Sequence, residues 1–266
     1  MEIKTYDKKN DRIVFYNKKA NVQFWEEHWR ENIGSNQSQK IADYKNNRFI
    51  LKIVKNYLDD KNSWILEGGC GIGGYVYCLQ HAGYNVVGID NAEKTVKAVK
   101  ECYPDLNIQR QDVRKTSFED NYFSIYFSFG VIEHFYKGYD EILSEAVRII
   151  KPGGYLIISF PQISILRRIK AELGLYARDK PVDKEHFYQF ALNPEKVIKG
   201  IEQYGFQLVK KSQYDGIKGF KDEVAIFRPF LQAIYDGKIL QILRRIIDII
   251  LKGLSSHMAL LVMQKK

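Results

Sequence analysis

Residues 65–74 read ILEGGCGIGG, an apolar run that passes straight into glycines. Gly69-Cys70-Gly71-Ile72-Gly73-Gly74 has the G-x-G-x-x-G spacing with which a strand-to-helix turn brings backbone N–H groups close to a ligand. Glu67 stands two residues ahead of Gly69, where a pyrophosphate would pass. Two anions in a partly desolvated crevice repel each other, so this carboxylate points to a ligand bearing positive charge. Other reactive residues recur at the ends of apolar runs. Asp90 closes VVGID, Asp112-Val113 follows NIQRQ, and Glu133-His134 lies in FSFGVIEHF. The last pair could orient a reacting group or receive its proton, the imidazole with a pKa near the working range. His186, in KEHFYQF, is a third candidate of that kind. Trp25 and Trp29 in FWEEHWR are four apart, share one helical face and would offer a cation aromatic walls.

These residues need a frame, and the apolar pattern supplies one. Short strands are predicted at 64–67, 85–89, 107–111, 124–129 and 154–160, with helices over 73–82, 93–102 and 139–150 between them. The last helix stops at Lys151-Pro152-Gly153-Gly154, a strong breaker. Such alternation means a parallel sheet covered on both faces, an α/β fold. Residues 161–193 break the rhythm as a polar, basic insertion. A helix at 194–204, capped by Asn193 with Pro194 in first position, leads to a strand at 206–212. A second insertion (214–256) and a strand at 257–264 close the chain, the final two strands reading as an antiparallel pair. Residues 40–59 read as one amphipathic helix, and no strand is expected in residues 1–62. Ligands of open α/β sheets sit beyond the carboxyl ends of the strands. Both insertions and the N-terminal segment are therefore expected to cover the edge that holds the glycine loop.

The totals narrow the class. The chain has 266 residues, 45% of them apolar, enough for one sizeable core. Its net charge of +9 is unevenly spread: +4 over residues 1–62, −3 over 63–160 and +8 over 161–266. Positive flanks suit an acidic substrate, a nucleic acid or an anionic membrane surface, or are simply solvated. Three cysteines without paired metal-ligand spacing, and no signal-like or membrane-spanning run, lead us to expect a reduced cytoplasmic protein. No metal is expected.

The run of motifs, ILEGGCGIG, VVGID, Gln111-Asp112-Val113, FSFGVIEHF and IIKPGGYLIISFP, resembles the class I S-adenosylmethionine-dependent methyltransferases, over about residues 63–160. The small-molecule branch that includes quinone-biosynthesis enzymes is the most similar. The cofactor's cationic sulfonium and ammonium agree with the charge argument at Glu67. The resemblance implies a Rossmann-like, doubly wound seven-stranded sheet ordered 3-2-1-4-5-7-6, the last strand antiparallel, with helical covers. It also implies an N-terminal helical cap (1–62) and a methyltransferase domain (63–266) with substrate-side insertions at 161–193 and 214–256. Glu67, Gly69, Gly71 and Gly73 would hold the methionine end. Asp90 would take both ribose hydroxyls, beside Asn91 where an apolar residue is usual. Asp112 would accept from the adenine amino group, with Val113 on the ring and Phe129 beside the methionine portion. Trp25 and Trp29 would close a helix over the cofactor, as in some relatives. Glu133, His134 and His186 would face the methyl acceptor. The expected product is S-adenosylhomocysteine.

The acceptor is expected to be a small molecule, with an apolar body and an acidic group, methylated on O, N or C. Nucleic acid is disfavoured: no Asn/Asp-Pro-Pro-aromatic loop follows the fourth strand and no Pro-Cys occurs, although ribose or ring-nitrogen methylation of RNA stays open. A non-catalytic S-adenosylmethionine-binding protein is a further alternative. The helix 239–252, ILQILRRIIDIILK, places Gln241, Arg244, Arg245, Asp248 and Lys252 on one narrow stripe in an otherwise Ile/Leu surface. A lid, plain packing, a dimer contact or peripheral membrane contact all fit it, as do a monomer and a homodimer. The segment YDGIKGFKDE (214–223) is rich in turn formers and also occurs in similar methyltransferases.

Overall fold

The computed structural model describes residues 3–16, 19–33, 37–58, 60–178, 184–236 and 241–266. The chain opens with an antiparallel hairpin, β1 (Ile3–Asp7) and β2 (Arg12–Tyr16), then the helices α1 (Val22–Ile33), α2 (Gln37–Ala42) and α3 (Arg48–Tyr57). The alternating section follows: β3 (Trp64–Gly68), α4 (Gly74–His81), β4 (Asn85–Asp90), α5 (Glu93–Cys102), β5 (Ile108–Arg110), β6 (Phe123–Phe129), α6 (Asp140–Ile149) and β7 (Ile150–Pro161). Next come α7 (Ile165–Glu172), β8 (Ala177–Arg178), β9 (Phe187–Ala191), α8 (Pro194–Glu202) and β10 (Phe206–Tyr214). The helices α9 (Gly216–Glu223), α10 (Arg228–Asp236) and α11 (Gln241–Leu251), then β11 (Met258–Lys265), complete it.

Seven strands form one sheet in the order β10-β11-β7-β6-β3-β4-β5. Numbered along this sheet alone, that is 6-7-5-4-1-2-3, the expected order read from the other edge. β11 runs antiparallel to both β10 and β7, while the other pairings are parallel. Strand periodicity divides the core into two layers. Ile65, Ile125, Phe127 and Ile157 pack with α3, α4 and α5 through Val54, Val76 and Val99. Leu66, Tyr126 and Ile158 pack with α6 and α8 through Ala146 and Ile201. Cover on both faces is why these strands read as nearly continuous apolar runs.

Three local expectations are corrected. Residues 1–62 are not purely helical: β1 and β2 join β8 and β9 of the first insertion in a second sheet ordered β8-β1-β2-β9. Ile13, Val14 and Phe15 are buried there between the local partner β1 and β9, which lies about 175 residues further along the chain. Second, the helix read over 40–59 is two, broken at residues 43–47. Asn47 caps α3 by accepting from the Phe49 and Ile50 N–H groups at 3.1 and 3.2 Å. Third, β7 begins at Ile150 rather than 154, its register shifting between the Phe123 and Ile125 pairings so that Lys151–Gly154 is absorbed. Residues 239 and 240 of the predicted late helix, and 179–183 of the first insertion, lie outside the described residues.

Candidate active site

The glycine loop is built by backbone geometry that side chains resist. Gly69 and Gly71 have φ of +71° and +54°. A methyl group on Gly71 would also collide with the Trp29 ring, and one on Gly69 would lie 2.6 Å from Val131. The N–H groups of Gly69 and Cys70 donate to the Ile89 carbonyl at 2.8 and 3.0 Å, pinning the loop to the end of β4. That places Asp90 under the turn. Its two oxygens accept the Gly71 and Ala92 N–H groups, both at 2.8 Å. Burial pushes its pKa up, and these backbone bonds oppose the shift.

Glu67, the penultimate residue of β3, is only 6% exposed, and its Oε2 finds no hydrogen-bond partner among the described residues. Burial pushes its pKa up to about 8; the Val76 N–H in the first turn of α4 lowers it and the Asp90 charge raises it. A buried carboxyl with an open acceptor is costly unless something pairs with it. Tyr44 and Tyr75, whose rings meet edge to face at 5.4 Å, are both raised by burial and then by the Glu67 charge. The niche around Glu67 is therefore dry and aromatic, and burial keeps its acid protonated at neutral pH until a cation pairs with it.

Helix α1 closes the niche. It is tethered to α5 by Glu26, which accepts from the Lys94 N–H at 3.3 Å and pairs with its ammonium at 2.9 Å. Phe24 meets Tyr188 of β9 at 5.7 Å. Between these anchors Trp29 lies over Gly71, and Trp25 meets His134 edge to face at 4.7 Å. His134 sits in the 3-10 turn Ile132–His134 after β6. Its Nδ1 is 2.9 Å from the Tyr188 carbonyl, so that nitrogen carries the proton and Nε2 is left as an acceptor. The sequence suggested a pKa near neutrality. Burial instead pushes it down to about 4, with Tyr188 opposing and His28 adding to the shift.

These groups line one cavity of about 910 Å³. Trp25, Trp29, Glu67, Gly69, Asp90, Asn91, Asp112, Val113, Phe129 and His134 all contribute to its wall. Four other candidates do not. Gly71 and Gly73 shape the loop from behind the lining. Glu133 is buried, its Oε1 3.9 Å from His134 Nε2, with burial pushing its pKa up to about 8 and Oε2 unpartnered among the described residues. His186 stands exposed in the 3-10 turn Lys184–His186, away from the cavity. Asp112 is held by Arg114, which donates Nη2–H to Oδ2 at 2.6 Å and lowers its pKa. Arg114, Tyr44, Tyr75, Tyr136 and Lys137 are lining residues that the sequence reading missed. Tyr75, which directly follows the glycine run, and Arg114, two residues past Asp112, could have been found by proximity to the motifs. Tyr44 carried no such signal.

Residues 66–158 match the model of a methyltransferase domain family. A probable S-adenosylmethionine-dependent methyltransferase of Mycolicibacterium smegmatis is 29% identical over 144 residues, 54% of this chain and 52% of the relative. A ubiquinone biosynthesis O-methyltransferase of Coxiella burnetii is 25% identical over 168 residues, 60% of this chain and 70% of that one. The chain thus spans about half the length of the mycobacterial relative. In fold it is similar to an S-adenosylmethionine-dependent methyltransferase from Archaeoglobus fulgidus, with a TM-score of 0.55 at 18% identity over 90% of this chain and 98% of that one. Residues 66–158 thus carry a methyltransferase domain, set in a sheet whose strand order is that of the S-adenosylmethionine-dependent methyltransferases the chain is similar to.

Proposed function

We propose that the protein transfers a methyl group from S-adenosylmethionine to a small-molecule acceptor bound between α1, the loop after β6 and β9. The observation that carries this reading is Glu67, a buried carboxyl with an unpartnered oxygen among the described residues, at the mouth of a glycine loop. Its chemistry fits the cofactor's ammonium. Asp90, with one oxygen on Gly71 and the other on Ala92, keeps lone pairs for the ribose hydroxyls. Asp112 and Val113, in the same cavity wall, would take the adenine, and Trp25 and Trp29 would face the cationic end. When bound, the cofactor supplies an electrophilic methyl group on a cationic sulfur, open to in-line displacement.

The protein's part is then alignment and exclusion of water, and alignment alone can contribute roughly 7–11 kcal/mol. His134 acts in this reading as an orienting acceptor rather than a strong base. An imidazolium is disfavoured in its dry niche, but Nε2 can hold an acceptor O–H or N–H in place. Glu133, buried beside it, keeps the niche from carrying a charge at neutral pH. The cavity volume falls within the range of about 300–1,000 Å³ typical of small-molecule sites. Trp25, Phe135 and Tyr136 supply an apolar wall, and Lys137 a cation at the mouth, in keeping with an apolar acceptor that bears an acidic group. The ubiquinone-biosynthesis relative favours oxygen as the acceptor atom. Two buried free cysteines, Cys70 and Cys78, favour a reducing compartment such as the cytoplasm.

Incubation with methyl-labelled S-adenosylmethionine and a fractionated cell extract tests this. Label in the low-molecular-mass organic fraction, lost in Asp90→Ala, is the expected result. Label in RNA, or no transfer by a protein that binds the cofactor, would overturn the small-molecule reading.

A further inference from the structure

Helix α11 is mounted with its apolar side outward. Asp248, its single acid, turns inward and accepts the Ile217 N–H at 2.9 Å at the start of α9. Ile247 and Leu251 pack with it on Ile217, Leu231 and Ile234. The opposite side presents Leu243, Ile246, Ile249 and Ile250, the last two 72% and 71% exposed. Neighbouring α10 and the 3-10 turn before it add Phe230 at 64% and Ile226 at 82%. At the far end the Leu166 N–H donates to the Leu254 carbonyl at 2.8 Å, which brings α7 alongside with Ile165 and Ile169 also exposed. Contiguous apolar surface of this kind marks a docking site rather than ordinary surface scatter.

The charges around it select the occupant. Arg245, Ile249 and Lys252 stand at i, i+4 and i+7, so both basic residues edge the apolar face, and both are exposed. Between Ile226 and Leu254 the sequence holds five Lys/Arg against two Asp, a net charge of +3. A second copy of the chain in a twofold contact would set these basic edges against each other. Anionic head groups would instead neutralise them while the Ile and Phe side chains reach the acyl boundary, the arrangement of an interfacial helix. No helix among the described residues is long and apolar enough to cross a membrane, so contact would be with the surface only. We infer that the face formed by α10, α11 and α7 docks the protein on an anionic bilayer.

Flotation with phosphatidylcholine vesicles, with and without phosphatidylglycerol, tests this independently of methyl transfer. The wild-type chain is expected to float with the anionic vesicles, less as salt is added, and about tenfold more weakly with neutral ones. Ile249→Glu/Ile250→Glu should abolish flotation, and Arg245→Glu/Lys252→Glu should remove the preference for phosphatidylglycerol. All four side chains are exposed, and circular dichroism reports that each variant stays folded. The inference fails if the wild-type chain stays in the pellet fraction with anionic vesicles at low salt, or if the isoleucine variant floats equally well. It also fails if light scattering shows a dimer that the isoleucine variant dissociates while no form of the protein floats, which would assign the face to a second copy.

Discussion

Two glutamates of equal burial occupy opposite electrostatic worlds in this molecule. Glu67 is 6% exposed and Glu223 7%. At the end of α9, Glu223 accepts from Lys4 and Arg167 on one oxygen, at 2.9 and 3.0 Å, and from Lys170 and Tyr176 on the other, at 2.8 and 2.6 Å. Despite burial, those partners bring its pKa down to about 2, whereas that of Glu67 rises to about 8. Depth therefore does not decide the state of a buried acid; partners do. The Glu223 cluster is finished within the chain and joins β1, α7, the segment before β8 and α9. The Glu67 niche is left open on one oxygen, as a site awaiting a cation would be.

The contrast is broken most severely at the saturated end. Glu223→Gln strands Arg167, itself 1% exposed, with its Nη groups still bound to the Gln162 carbonyl and His257. Loss of one partner from a buried ion cluster costs about 3–5 kcal/mol, and a Tm fall on the order of 10 °C is expected by calorimetry at pH 7. Cofactor affinity should be unchanged, since the cluster does not line the cavity. Glu67→Gln should behave in reverse. Removing an acid that resists ionisation leaves stability intact or improved, while cofactor binding weakens by about 100-fold, roughly 2.7 kcal/mol. A Glu67→Gln protein that melts lower and binds equally well would reverse the two roles.

The signs of the pH dependence sharpen the same comparison. A folded-state pKa of about 8 for Glu67, against 4.5 for the free side chain, means that its contribution to stability is complete below pH 4.5 and is lost as pH rises through 8. Glu223, lowered from 4.5 to about 2, contributes above 4.5 and loses that contribution as pH falls toward 2. The benefit of Glu67→Gln in Tm should thus appear on the alkaline side and vanish near pH 4. Pairing with an ammonium would draw Glu67 back to its ionised form. Binding should then release a proton below pH 8 and, because α-amino groups titrate near about 7.7–8.0, take one up above it. Calorimetry in buffers of different ionisation enthalpy reads this change of sign, and Glu67→Gln should abolish the release. Trp29→Ala is the mildest of these changes. Losing one wall over Gly71 should weaken binding by about tenfold, since a cation–π contact contributes on the order of 1–2 kcal/mol.

How much of this was legible beforehand follows from the range of the interactions. The strands β3 to β7 rest on local motifs, from ILEGG to LIISFP, while the order of the sheet, with β10 and β11 beyond that run, followed from the family resemblance and agrees with the structure. The hairpin β1–β2, a local pairing across residues 8–11, was missed although RIVFY is strand-like, whereas its joining to β9 is a long-range pairing with no local signature. Trp29 was legible as a wall from its spacing with Trp25 and the family resemblance, while its seat over Gly71 came only with the structure. Glu133 and His134 were placed in the loop after β6, but their burial, which decides the state of each and for His134 comes with Trp25 of α1 and Tyr188, is invisible in FSFGVIEHF. The polar stripe of α11 was read correctly as a stripe. That Asp248 turns inward while Arg245 and Lys252 stay exposed depends on the α9 backbone, which no periodicity reveals.

The most direct test of the central claim is calorimetric titration of the purified protein with S-adenosylmethionine and, separately, with NADH, repeated on Asp90→Ala. Micromolar binding of the first alone, abolished in the variant, is the predicted result. A well-folded protein that takes up NADH, or that ignores S-adenosylmethionine, would contradict the reading of Glu67 and the function built on it.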